Sequence, residues 1–192
     1  MSSQQKWDRI YAQQNYPAPA NPLLQQYAFL FPNNATVLDL ACGLGSNSLY
    51  LAQLGCRLTA WDISPVALQK LTIEADRLGV DINTVCLDIN AASFDQQHFD
   101  LIIVNHYLDR NLAPSLVRAL NPGGILFYQT FVRTSLPSNK RTGPRNPAYL
   151  LAQGELLSLF SDLHARVFID LQSTGATGQG LRNQSLLIAE KD

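Results

Sequence analysis

The sequence predicts an α/β fold, a doubly wound, seven-stranded, mostly parallel sheet with helices on both faces and an antiparallel last strand. Three observations predict it. From residue 36 onward, short β-branched apolar runs alternate with longer segments of helical period, the pattern of a parallel sheet covered on both sides. The first of these runs, Thr36 to Leu40, passes directly into a glycine turn and another helical segment. Between the last two runs there is a Gly, Thr and Ser connection, Ser173 to Gly180, and no crossover helix; direct connections join antiparallel strands, so the seventh inserts antiparallel beside the sixth.

Taken along the chain, Asn21-Pro22 is an N-cap and first-turn pair that starts a helix carrying Leu23, Leu24, Tyr27 and Phe29. The expected strands are Thr36 to Leu40, Arg57 to Trp61, Asp81 to Leu87, Phe99 to Asn105, Ile125 to Phe131, His164 to Leu171 and Ser185 to Glu190. Between the first two, Ser46 to Leu54 reads as a helix stopped by Gly55. Ser64 is an N-cap with Pro65 at the first helical position, and Gly79 ends that helix, whose apolar positions are Leu68, Leu71 and Leu78. Pro114 begins a further helix ending near Asn121, and Pro122-Gly123-Gly124 forces a turn before the fifth strand.

A length of 192 residues suits one domain, spanning 1–192 with residues 1–35 as a helical cap. With 46% apolar and 15% charged residues the composition is globular. A net charge of -1 lacks the basic footprint of phosphate-backbone binding, which disfavours a nucleic-acid partner. No apolar run approaches the roughly 20 residues that span a bilayer, and the first thirty residues contain no secretory apolar segment. Cys42, Cys56 and Cys86 form no C-x-x-C pair, and an odd count suits a reducing compartment, so a cytoplasmic protein is expected. No His, Cys and acid cluster has metal-ligand spacing, so no metal is expected.

The segment from Val37 to Asn47, VLDLACGLGSN, is the most informative. In an open α/β sheet such a turn lies at the carboxyl end of the first strand, beside the crevice where ligands bind. Gly43 and Gly45 would let backbone approach a ligand without Cβ interference. Asp62 ends the second strand, where nucleotide-binding sheets place a carboxylate for ribose hydroxyls. A dinucleotide fingerprint wants a third glycine where Ser48 stands, which weakens the pyrophosphate reading.

Asp39-Leu40-Ala41-Cys42-Gly43-Leu44-Gly45 resembles the D-x-G-x-G-x-G motif of class I S-adenosylmethionine-dependent methyltransferases, with Ala41 in place of the first glycine. The resemblance continues at Asp62, at Leu87-Asp88-Ile89, at Phe99 to Ile103 and at Leu120 to Gly124. It covers residues 36 to 131 strongly and implies the Rossmann-like methyltransferase fold, whose seventh strand is antiparallel. Within that superfamily the chain is most similar to tellurite-resistance-type small-molecule methyltransferases, through Trp7, Asp8 and Tyr11 and through the Pro144 to Leu151 segment.

The resemblance implies S-adenosylmethionine as cofactor. Asp39 would orient the methionine amino group, directly or through water, and Gly43 and Gly45 would bring backbone against the cofactor. Asp62 would bind both ribose hydroxyls, Ile63 would pack on the adenine face, Asp88 with Ile89 would border the adenine, and Asn105 would close the methionine side. Ala41 belongs to the same turn. Each has a plainer alternative: Asp39 capping a turn, Asp62 and Asp88 as solvated loop carboxylates, Cys42 as a small buried filler. Trp7 and Tyr11, spaced i, i+4, share a helix face that would form a lid over the cofactor or a simple staple onto the sheet.

Methyl transfer needs alignment and water exclusion more than a strong base. His106, just past the fourth strand, is the candidate proton acceptor, with packing at the strand end as the alternative. Between Asp109 and Glu155 there is no acid, yet Arg110, Arg118, Arg133, Lys140, Arg141 and Arg145 all occur there. Arg133 and Arg145 are the candidate contacts to an anionic acceptor such as an oxyanion, thiol or carboxylate; a solvated basic loop is the alternative. A nicotinamide-dependent oxidoreductase and a catalytically inactive S-adenosylmethionine-binding protein remain competing functions. A monomer or homodimer with a small-molecule acceptor is expected.

Overall fold

The computed structural model describes residues 1–15, 17–133 and 143–192; Lys140 and Arg141 of the basic stretch lie outside them. All seven expected strands form: β1 (Thr36–Leu40), β2 (Arg57–Asp62), β3 (Ile82–Cys86), β4 (Phe99–Asn105), β5 (Leu120–Phe131), β6 (His164–Ile169) and β7 (Gln184–Glu190). They build one sheet in the order β3-β2-β1-β4-β5-β7-β6. The pairs from β3 through β5 are parallel, and β7 is antiparallel to both β5 and β6. The final strand therefore lies beside the sixth, as expected, and also inserts between it and the fifth.

The period-2 geometry of a strand sends successive side chains to opposite faces. In β4, Leu101 and Ile103 join Val37, Phe127, Ile188 and Leu24 on one face, whereas Ile102 and Val104 join Leu38, Leu126, Leu116 and Leu156 on the other. A strand fully buried on both faces has no need of polar alternation, which is why β4 reads as a continuous apolar run. Helices α2 (Pro22–Gln26), α3 (Ser46–Gln53) and α4 (Pro65–Leu78) cover the first face. Helices α5 (Ala113–Ala119) and α6 (Glu155–Leu159) cover the second.

The caps follow sequence chemistry. Ser64 Oγ accepts from Ala67 N at 3.2 Å with Pro65 beginning α4, and Gly79 ends it at φ 67°. Asn21 Oδ1 accepts from Leu23 N and Leu24 N at 2.9 and 3.3 Å. Helix α2 is shorter than expected: past Tyr27 the chain tightens into a 3₁₀ turn over Ala28–Leu30, leaving Phe29 exposed. The expected turn before the fifth strand is absorbed into β5 as an irregularity, with Phe99 paired to Leu120 and Leu101 to Ile125; Gly123, at φ 72°, donates to Lys191 O. At the amino end of the chain, α1 (Ser3–Ala12) packs against α4. All three cysteines are free thiols, and no helix among the described residues is long and apolar enough to cross a membrane.

Candidate functional site

The carboxyl ends of β1, β2 and β4 converge on the glycine turn. Parallel pairing sets Asp39 opposite Ala60 and Leu40 opposite Trp61, so the turn leaving β1 meets the end of β2. Asp62 stitches the two together. Its Oδ2 accepts from Gly43 N and its Oδ1 from Ser64 N, both at 2.8 Å. The carboxylate is thus a staple between the turn and the end of β2. It is 4% exposed, and burial raises its pKa against the pull of those backbone N–H groups.

Asp39 lies one strand over, 2% exposed. Ser48 Oγ donates to its Oδ2 at 2.7 Å. Burial pushes its pKa up to about 7, with the hydrogen bonds from Ser48 acting in the opposite direction. The residue that broke the dinucleotide pattern thus has a positive task. It holds the acid at the base of the turn.

Three backbone positions of the turn lie in the left-handed region, Ala41 and Gly43 at φ 56° and Gly45 at φ 73°. Ala41 occupies the motif's first glycine position and takes the glycine conformation despite its methyl group. A Cβ on Gly43 would lie 2.7 Å from Tyr11 Oη. At Gly45 a Cβ would lie 2.3 Å from Leu71 Cδ1, so its lack of a side chain also lets α4 pack.

Helix α1 covers this turn. Trp7 and Tyr11 stack on one helix face with centroids 5.7 Å apart. Ser64 Oγ donates to Asp8 at 2.5 Å, and Lys70 Nζ donates to the carbonyls of Tyr11 and Gln14 at the helix's carboxyl end, at 2.8 and 2.5 Å. Burial first, then the Asp62 charge, raises the Tyr11 pKa well above its ordinary value.

Beside the turn a cavity of about 320 Å³ is lined by Asn21, Ser46, Asn47, Asn105, His106 and Gln129 among others. Among the described residues its walls carry no Asp, Glu, Lys or Arg. Asn47 Oδ1 accepts from Asn21 N at 3.0 Å; Asn21 Nδ2 donates to Asn105 Oδ1 and Gln129 Oε1 at 3.1 and 2.9 Å. A larger hollow of about 570 Å³, lined by Thr36, Arg57 and His98, lies at the amino ends of the strands, away from all of these residues.

His106 sits at φ 60°, and its N–H donates to Gln129 O at 2.8 Å. Its ring stacks on Phe131 at 4.7 Å and approaches Gln184 Oε1 at 3.1 Å through Nε2. The ring keeps an exposed edge, yet partial burial draws its pKa down. Ile63 is half-buried behind Asp62. Asp88 is exposed, two residues past the end of β3, while Ile89 packs against the apolar face that includes Trp61.

The basic stretch divides. Arg110 is bonded to Glu155 through Nε and Nη2 and to the carbonyls of Ala148 and Leu150 at 2.9 and 3.0 Å, so it is a structural clamp. Arg133 leaves β5 with its N–H on Leu151 O at 2.8 Å and its side chain exposed; Arg145 is exposed. The acid of the Phe99 to Ile103 motif, Asp100, also serves structure: it accepts from Thr36 and Asn121 at the opposite end of the strands.

Asn21, Asn47, Gln129 and Gln184 escaped the sequence reading. Gln129 had a signal, since a polar residue inside an apolar strand demands a buried partner. Asn21 was legible only as a helix cap.

Comparison with known proteins agrees with this geometry. A methyltransferase domain family matches residues 37–124. The Haemophilus influenzae protein TehB, named as a probable S-adenosyl-L-methionine-dependent methyltransferase, is 30% identical over 129 residues, 66% of this chain and 45% of its own. The malonyl-[acyl-carrier protein] O-methyltransferase of Enterobacter lignolyticus is 35% identical over 108 residues, 54% of this chain and 41% of its own. The chain thus spans less than half the length of these curated relatives. The crystal structure of H. influenzae TehB superposes with a TM-score of 0.73 at 23% identity, covering 97% of this chain and 67% of that one.

Proposed function

We propose, from the match of residues 37–124 to a methyltransferase domain family, that this chain transfers a methyl group from S-adenosylmethionine to a small anionic acceptor in the cytoplasm. The observation that carries the proposal is the buried pair Asp39 and Asp62, set on neighbouring strand ends around a glycine turn. Those residues suit the cofactor: Asp62 offers carboxylate oxygens to two hydroxyls, Asp39 a carboxylate to an amino group, and the side-chain amides of the neighbouring cavity supply hydrogen-bonding groups for the methionine end. When bound, S-adenosylmethionine supplies a methyl group on a positively charged sulfur.

The chain's own residues bind and exclude water. Tyr11 and the rest of α1 close over the ribose side, and Asn21 closes the methionine side together with Asn105. Ile63 and Ile89 flank the adenine, with Asp88 accepting from its amino group. Phe131 seats His106; Arg133, exposed just past the end of β5, and Arg145, exposed in the segment before α6, are the cations this reading assigns to the acceptor. These charges pair with the acceptor's anionic group, and an acceptor atom that still carries a proton needs a base beside them.

The test incubates the protein with S-adenosylmethionine and a panel of oxyanions, thiols, carboxylates and amines, and measures S-adenosylhomocysteine. Anionic acceptors are expected to turn over. Arg133→Met and Arg145→Met are expected to raise acceptor KM, with the difference shrinking at high ionic strength, and Asp62→Ala to weaken cofactor binding tenfold to a hundredfold. Tight cofactor binding without turnover of any acceptor would leave a binding protein, and preferential binding of a nicotinamide dinucleotide would replace the reading altogether.

A further inference from the structure

A chain of side-chain amides runs from the cap of α2 to the ring of His106, and each link fixes the next. Asn21 Oδ1 accepts from Leu23 N and Leu24 N, which are backbone donors, so the Asn21 amide has one orientation. Its Nδ2 must then face Gln129 and donates to Oε1 at 2.9 Å. With that oxygen assigned, Gln129 Nε2 faces Gln184 and donates to Oε1 at 2.6 Å. Gln184 therefore presents an oxygen to His106 Nε2, 3.1 Å away. Two acceptors cannot face each other at that distance, so Nε2 carries the hydrogen.

We propose that Gln184 is a positioning residue that holds neutral His106 as the Nε2–H tautomer, leaving Nδ1 as the nitrogen that takes a proton from the methyl acceptor. Among the described residues no hydrogen bond is made to Nδ1. The main-chain N–H of His106 is held by Gln129 O at 2.8 Å, so Gln129 acts on the histidine twice, once through its backbone and once by turning Gln184. The chemical consequence rests on the methyl-transfer reading, whereas the tautomer does not. As the acceptor's lone pair bonds to the methyl carbon, the carbon–sulfur bond breaks with its electrons remaining on sulfur. The acceptor's proton passes to Nδ1, and the imidazolium keeps its Nε2–H on Gln184. Because the orientation starts at a helix cap 85 residues earlier in sequence than His106, the histidine's protonation pattern is set by tertiary structure.

The test is long-range ¹H–¹⁵N NMR on histidine-labelled protein at a pH where the ring is neutral, with His106→Gln identifying its signals. The wild type is expected to show a bare Nδ1 and a protonated Nε2. Gln184→Leu is expected to let the two tautomers mix, and to lower turnover about tenfold or more with cofactor affinity unchanged. Gln184→Glu, which keeps an acceptor oxygen, is expected to restore the tautomer. A protonated Nδ1 in the wild type, or an unchanged tautomer in Gln184→Leu, overturns the proposal. If the tautomer behaves as stated and no acceptor is ever methylated, the methyl-transfer reading has failed and the tautomer assignment stands.

Discussion

Asp39 is where the proposed chemistry makes a measurable demand on pH. Burial raises its pKa from 3.8 to about 7, Ser48 notwithstanding, so the free protein near neutrality holds this carboxyl about half protonated. To receive a cationic amino group Asp39 must be ionised. Cofactor binding below that pKa therefore expels a proton, and the dissociation constant should approach a tenfold rise for each pH unit well below 7 and level off above it, about fifteenfold between pH 7 and 5.5. Calorimetry in two buffers of different ionisation enthalpy reads both affinity and the proton released. Asp39→Asn keeps the hydrogen bond from Ser48 but cannot ionise; it should bind weakly with a flat profile, which separates Asp39 from Asp62, whose pKa is also raised. The stability of the free protein carries the opposite sign. A folded pKa above the unfolded one means the folded state binds the proton more tightly, so the contribution is complete below about pH 4 and is lost as pH rises through 7. A rise from 3.8 to about 7 corresponds to about 4 kcal/mol. An affinity that stays constant from pH 5.5 to 8, or a slope shared by wild type and Asp39→Asn, would refute the role assigned to this carboxylate.

Two further predictions concern the turn. Ala41→Gly relieves a left-handed conformation at φ 56° and, after glycine's greater unfolded-state entropy is subtracted, should stabilise the protein by about 0.5–1 kcal/mol, seen as a higher urea midpoint at unchanged slope; a lower midpoint would show that the methyl group's packing matters more. Gly43→Val sets a Cβ 2.7 Å from Tyr11 Oη and should abolish cofactor binding while far-UV circular dichroism stays native. Native affinity in that variant would move the cofactor elsewhere.

The sheet was legible because each of its signals is local: apolar runs, proline and glycine stops, and caps such as Ser64. Even the antiparallel end followed from a missing helix. Helix α6 was not, since five residues with one buried leucine, Leu156, offer almost no period to read. At the site, the acids were found from their places at strand ends, but the cover of α1 beside Asp62 was not, because it depends on Lys70 and Ser64 gripping a helix more than fifty residues away. Arg110 shows the opposite failure. A charge count along the chain marked it as available, whereas Glu155, 45 residues on, pairs with it. The amide chain lay beyond sequence reading for the same reason, as its members meet only when β4, β5, β7 and the cap of α2 are assembled.

The insertion of β7 between β5 and β6 also has a consequence for biosynthesis. When β6 has left the ribosome its partner in the sheet does not yet exist, and β5 offers an open hydrogen-bonding edge until residues 184–190 follow. Such an edge invites pairing with another nascent chain. Strands β1 to β4, the turn and Asp62, the part to which the proposed function assigns the cofactor, are made before that interval ends, but Gln184 arrives with the last strand. Under the proposed function, the elements that take the methyl donor precede the one that sets the base, so ligand guards the half-made sheet before any turnover begins.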